Sequence, residues 1–110
     1  MIPDIRLCDL STARQDFVRQ CQRISFGKIA HFAVRNGDPV MLPETEVLME
    51  LKLETEEAAR PEQKLKDFVV PAELVRLFAK MDAVRTGFVD HVEVRAGIPR
   101  RVVFKTRVQG

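Results

Sequence analysis

The chain has 110 residues, 45% of them hydrophobic and 31% charged, with 18 Lys and Arg against 16 Asp and Glu for a net charge of +2. Such a chain fits one globular domain, residues 1–110, that buries about 65% of its surface without metal or disulfide staples. The composition excludes a disordered chain, the balanced charge excludes a histone-like DNA coat, and apolar runs of only a few residues exclude a membrane span.

The opening residues Met1–Arg6 lack the basic flank and apolar stretch of an export signal, so a reducing cytoplasmic location is expected. Cys8 and Cys21 form no C-x-x-C pair, which argues against a zinc site. The first helix is expected from about Thr12 to Ser25, with Phe17, Val18, Cys21 and Ile24 on one apolar stripe. Cys21 is therefore a small core residue. Thr12 with Gln15 fits a capping box, and Asp9 or Ser11 are alternative caps. Gly27 suits the left-handed residue that closes the helix.

A hairpin follows. Alternation in Ala30-His31-Phe32-Ala33-Val34 sends Phe32 and Val34 inward and His31 outward. The turn contains Asn36-Gly37. A two-residue turn needs positive φ at both central residues. The corresponding Ala96-Gly97 further along disfavours that, and a three-residue loop with a bulge is expected in both places. A long strand from Thr45 to Glu54 would bury Val47, Met49, Leu51 and Leu53. The polar stretch of residues 55–66, interrupted by Pro61, reads as an exposed loop. A second helix begins at Pro71 and ends before Gly87. A second hairpin carries Asp90-His91-Val92-Glu93-Val94. The last strand, Arg101 to Val108, buries Val102, Phe104 and Val108 and exposes Arg101, Lys105 and Arg107.

These elements repeat at a spacing of 60 residues, over about residues 12–43 and 72–103. Gly27, His31, Val34, Arg35, Gly37 and Pro39 recur as Gly87, His91, Val94, Arg95, Gly97 and Pro99. The expected fold class is α+β: a two-layer protein with a mainly antiparallel sheet of about five strands, two helices on one face, and a duplicated helix-hairpin (αββ) unit. The run from Phe17 through Ile24-Ser25-Phe26-Gly27-Lys28-Ile29 to Val34-Arg35-Asn36-Gly37-Asp38-Pro39-Val40 resembles the αββ unit of the YezD-like small bacterial proteins. The second copy departs from it, with Thr86 in place of the aromatic before Gly87. The resemblance implies a fold and a bacterial origin, and no functional residue.

No nucleophile motif or phosphate-binding glycine loop is present, so no catalytic residue, metal ligand or cofactor is assigned. The two histidines invite a metal-site reading with Glu93, which shares a face with His91, whereas Asp90 on plain alternation does not. Charge is uneven: residues 44–67 carry a net −4 and residues 68–110 a net +4. Two functions remain. The first is a cytoplasmic, non-enzymatic protein-interaction or regulatory module, self-associating or partner-bound. Its surface would be the sheet's outer side, with His31, Arg35, Leu48, His91, Arg95, Arg101, Val103, Lys105 and Arg107. Leu48 and Val103 are apolar where alternation predicts exposure. The alternative is a nucleic-acid-binding accessory protein using the basic last strand and Arg14, Arg19 and Arg23 of the first helix. The absence of Trp and Tyr, with Phe26 the one aromatic expected to be free, weighs against base stacking.

Overall fold

A computed structural model describes residues 4–54 and 65–105. After a short 3-10 turn, Leu7–Asp9, come α1 (Thr12–Ile24), β1 (Gly27–Arg35), β2 (Asp38–Val40), β3 (Glu46–Met49), α2 (Ala72–Val84), β4 (Gly87–Arg95) and β5 (Ile98–Lys105). The five strands form one antiparallel sheet in the order β2-β1-β4-β5, with β3 pairing β1 on the same side as β2. Both helices pack on one face, so the protein is a two-layer α+β domain. Among the described residues no helix is long and apolar enough to cross a membrane.

The helix stripes form the core, except that in α2 Leu74 is buried and Val84, expected with Leu77, Phe78 and Met81, is only half-buried. Phe17, Val18, Cys21 and Ile24 of α1 and Leu74, Leu77, Phe78 and Met81 of α2 are buried against Ile29, Phe32, Val34, Val89, Val92 and Val94 of the sheet. Phe17 sits at the centre, its ring 5.6 Å from that of Phe32 and 6.1 Å from that of Phe78. Each such side chain contributes about 1.5–3 kcal/mol by leaving water. The chain before α1 is stitched to the segment before α2: Leu7 N–H donates to Phe68 O and Val70 N–H donates to Ile5 O. Asp67 reinforces this seam by accepting from Arg6 Nε at 2.7 Å and from Cys8 N–H at 3.0 Å. The Arg6 side chain, followed by the Cys8 amide, holds the Asp67 carboxyl down at about 2. The seam therefore keeps its charge above the ordinary carboxylate range and loses it only as pH falls toward 2.

Burial separates the two thiols. Cys21 is fully buried and desolvation pushes it up to about 12, whereas Cys8 is exposed. The Asp67 carboxylate beside Cys8 raises its pKa too. Under native conditions a thiol reagent should label one cysteine per chain, at Cys8. Cys21 should react only at the rate of unfolding. Mass mapping of the labelled peptides checks this, and fast labelling of Cys21 would contradict the packing.

Ser11, one of the alternative caps, is the N-cap of α1, accepting from Arg14 N–H at 3.3 Å. Other local expectations are corrected. The Thr12–Gln15 box does not form, and Gln15 instead donates to Leu10 O. Neither helix ends on a glycine. Ser25 and Arg85, each two residues earlier, take φ 62° and 65° with ψ −61°. Phe26 N–H and Thr86 N–H then reach back to the carbonyls of Ile24 and Val84, at 2.7 and 2.8 Å, in tight three-residue turns. Such turns are strained and persist where surroundings over-determine them. Here the opposite hairpin does so. Gly97 N–H donates to Ser25 O and Gly37 N–H donates to Arg85 O, each at 2.9 Å.

The hairpins also differ from expectation. Arg35 pairs Asp38 and Arg95 pairs Ile98, leaving two-residue loops. Asn36 and Ala96 have φ 52° and 53°, and Gly37 and Gly97 have φ 81° and 77°. These are the mirror-image turns whose twist matches that of the strands, and Ala96 accepts a left-handed conformation to make one. Asn tolerates that region better than Ala. Ala96→Asn, which copies the first hairpin, should raise stability by about 0.5–1 kcal/mol in a urea titration.

The expected strand Thr45–Glu54 is the largest correction. β3 covers only Glu46–Met49 and every residue of it is exposed. Leu51 and Leu53, expected inside, are 65% and 95% exposed. Among the described residues no second layer reaches over residues 50–54. In the last strand Val102 and Phe104 are partly buried, as expected, while Val108 lies outside the described residues. Most of the expected 55–66 loop also lies outside them.

Candidate interaction surface

With both helices on one side, no element among the described residues covers the opposite side of the sheet, and the strand register arranges its side chains in rows. Lys28 of β1 is flanked by Leu48, Glu93 and, beyond Glu93, Arg101. The next row is Glu46, Ala30, His91 and Val103. The third is Val40, Ala33, Phe88 and Lys105. Ala30 and Ala33 are buried between their larger neighbours. Phe88 and Leu48 are 56% and 50% exposed. Leu48, His91, Arg101, Val103 and Lys105 thus share one face, as anticipated.

Phe88 was missed. The signal was present, because Phe88 precedes Val89 and strand alternation puts the two on opposite faces. Phe26, expected to be the free aromatic, is half-buried with the Lys52 ammonium 5.8 Å from its ring centre.

The remaining anticipated residues scatter. β1 and β4 run antiparallel with Gly27 opposite Val94 and Val34 opposite Gly87. Arg35 and Arg95 therefore stand at opposite ends of the central pair and form no common cleft. Arg107 lies outside the described residues. His31 and His91 sit mid-strand, where the ladder is broken. Ala30 pairs His91 and Phe32 pairs Val89, while His31 has φ 62°. The turn after β2 holds this bulge, with the Thr45 hydroxyl donating to His31 O at 2.7 Å.

A second irregularity, where β4 shifts register against β5 between Val89 and His91, overturns the exclusion of Asp90. Its carboxylate Oδ2 lies 2.7 Å from His91 Nδ1. The alternation argument fails because an extra residue shifts side-chain parity. The hydrogen bond from His91 holds the Asp90 carboxyl below its usual range, with His31 and Lys105 adding weaker attraction. Glu93, the carboxylate expected to join the histidines, instead faces Arg101 at 3.8 Å. Among the described residues no group of three His, Cys, Asp or Glu is placed to hold an ion.

The cations of α1 hold partners within the chain, although Arg23 stays exposed. Arg14, with its side chain 17% exposed, donates from Nη2 to Asp82 Oδ1 at 2.6 Å and to Gly37 O at 2.9 Å. Arg19 holds Gln22 Oε1 and Leu65 O and lies over the Phe68 ring. Arg23 donates to Gln20 Oε1. They do not extend the basic strand into a continuous strip. Comparison of the chain with protein-family models, curated proteins and solved structures finds no match.

Proposed function

We propose that the protein is a non-enzymatic, cytoplasmic interaction module that self-associates through the uncovered face of its sheet. The observation that carries this reading is Phe88, 56% exposed in the middle strand pair of a face whose neighbouring row contains Ala30 and Val103. Charges around it are mixed: Lys28, Arg101 and Lys105 stand with Glu46, Glu93 and Asp90, so a second copy meets little net repulsion. β1, β4 and β5, eight or nine residues long, with the short β2 and β3 end to end along β1 and a strand spacing of about 4.8 Å, give a face of about 500 Å². Two stacked copies would bury about 1,000 Å², the lower limit for a specific interface. A reversible dimer of about micromolar dissociation constant follows. The geometric likeness of the two hairpin turns and helix ends also supports reading the chain as one αββ unit written twice.

Sedimentation equilibrium tests the proposal. The wild type should show a concentration-dependent monomer–dimer equilibrium, and Phe88→Asp should raise its dissociation constant at least about tenfold with the thermal midpoint held. A wild type that stays monomeric up to about 100 μM would remove this reading.

A further inference from the structure

On the helical side, α2 and the edge strand β5 enclose a groove of about 220 Å³. Leu77 and Pro99 form its apolar floor, and Arg76, Lys80, Arg100 and Arg101 stand around it. Glu73 is the only carboxylate lining it and is taken by Arg100 at 2.5 Å. Arg76 and Lys80 make no hydrogen bond or ion pair among the described residues.

A counterpart of this groove lies between α1 and β2 at positions sixty residues earlier. Its floor is again apolar, from Phe17 and Pro39. Asp16, Gln20 and Met41 stand there in place of Arg76, Lys80 and Arg101. Arg23 is the one cation lining that counterpart and none stands at these three positions, so the shared architecture does not require Arg76, Lys80 and Arg101. β5 adds a second feature, for among the described residues it pairs only with β4. Half of its backbone N–H and C=O groups face away from the sheet, the arrangement to which an extended peptide adds. Two copies of β5 would oppose their own Arg100, Arg101 and Lys105, which disfavours self-pairing.

We propose that the α2–β5 groove captures an acidic, extended segment of another protein, added as a strand along β5 with its carboxylates on Arg76 and Lys80. The groove is smaller than the usual 300–1,000 Å³ of small-molecule sites, so it accepts side chains from a strand and not a cofactor. It contains no aromatic ring on which a base could stack, which favours peptide over nucleic acid. The site lies on the helical side and edge of the sheet, so it does not depend on the proposed dimer face.

The probe is an eight-residue peptide alternating glutamate with threonine, matched to the eight residues of β5. Its binding is followed by amide chemical shifts and fluorescence anisotropy. The expected result is saturable binding with shifts concentrated in β5 and α2, weakening as salt rises. Arg76→Gln with Lys80→Gln should weaken binding about tenfold without changing the thermal midpoint, since both side chains reach solvent. The same peptide N-methylated at alternate residues keeps its charge but loses the donors that strand addition uses, and should not bind. Equal binding by the N-methylated peptide, indifference to the double substitution, or tighter binding of an oligothymidylate of equal charge overturns the proposal.

Discussion

Gly27→Ala should cost about 2–4 kcal/mol, whereas Gly87→Ala, sixty residues later in the same kind of turn, should cost under about 1 kcal/mol. The asymmetry comes from β3. A Cβ built on Gly27 lies 1.9 Å from Leu48 O, a backbone atom of the strand beside it, and Gly27 has φ 156°, a conformation open essentially to glycine alone. Relief requires β3 to leave β1. At Gly87 the nearest atom is Val84 Cγ1 at 3.2 Å, the tip of a side chain, and φ is not in the left-handed range. In a domain of this size the first substitution should lower the thermal midpoint by about 10–20 °C and the second by a few degrees at most. Amide exchange would localise the damage, with Gly27→Ala deprotecting Glu46–Met49 before the core. Equal effects at the two glycines would mean that β3 does not cross Gly27 as described.

Removing Arg14 should cost a comparable amount, about 3 kcal/mol for Arg14→Ala in a chemical denaturation. One guanidinium ties three elements together. It bonds Asp82 at the end of α2 and Gly37 O in the first hairpin turn, and it lies 5.0 Å over the Phe78 ring. Its Nε is buried and faces Asp38 Oδ1 at 3.5 Å without hydrogen-bond geometry. The aliphatic stem also fills space beside Phe78, so the alanine variant loses packing along with charge. Arg14→Lys should recover only about half of the loss, because one ammonium cannot serve acceptors held in a planar fork. A lysine variant as stable as the wild type would reduce Arg14 to an ordinary surface ion pair, worth about 0–1 kcal/mol.

These two residues show what could and could not be read from the chain. The spacing of Phe17, Val18, Cys21 and Ile24, repeated by Leu77, Phe78, Met81 and Val84, defines the helices, because a helical stripe must be buried whatever it meets. Arg14 carries no such signal. Its spacing places it with Arg19 and Arg23 on a basic surface, whereas the approach of α2 and the hairpin turn buries it. Gly27 by local rules closes the helix. Its necessity comes from Leu48, twenty-one residues away, and no local rule reports a contact of that range.

The outer face was partly legible for the same reason. Leu48 and Val103 break the polar alternation and do lie on it, together with His91, Arg101 and Lys105. Phe88 obeys the same alternation and is the most exposed aromatic among the described residues of the sheet.

The helix stripes, the places of the turns at Gly37 and Gly97 and the α+β class are legible in the chain, since each follows from the period or backbone freedom of a few neighbouring residues. The two-residue type of those turns, the covering of apolar strand residues, the parity breaks of β1 and β4 and the partners of the cations are settled by long-range packing. Leu51 and Leu53 satisfy a buried pattern and remain exposed because no described element packs above them. Asp90 reaches His91 because one residue bulges from the ladder. Arg76 and Lys80 flank a groove because α2 settles beside β5. Burial and partnership are properties of the second layer, and a local pattern cannot say whether that layer arrives.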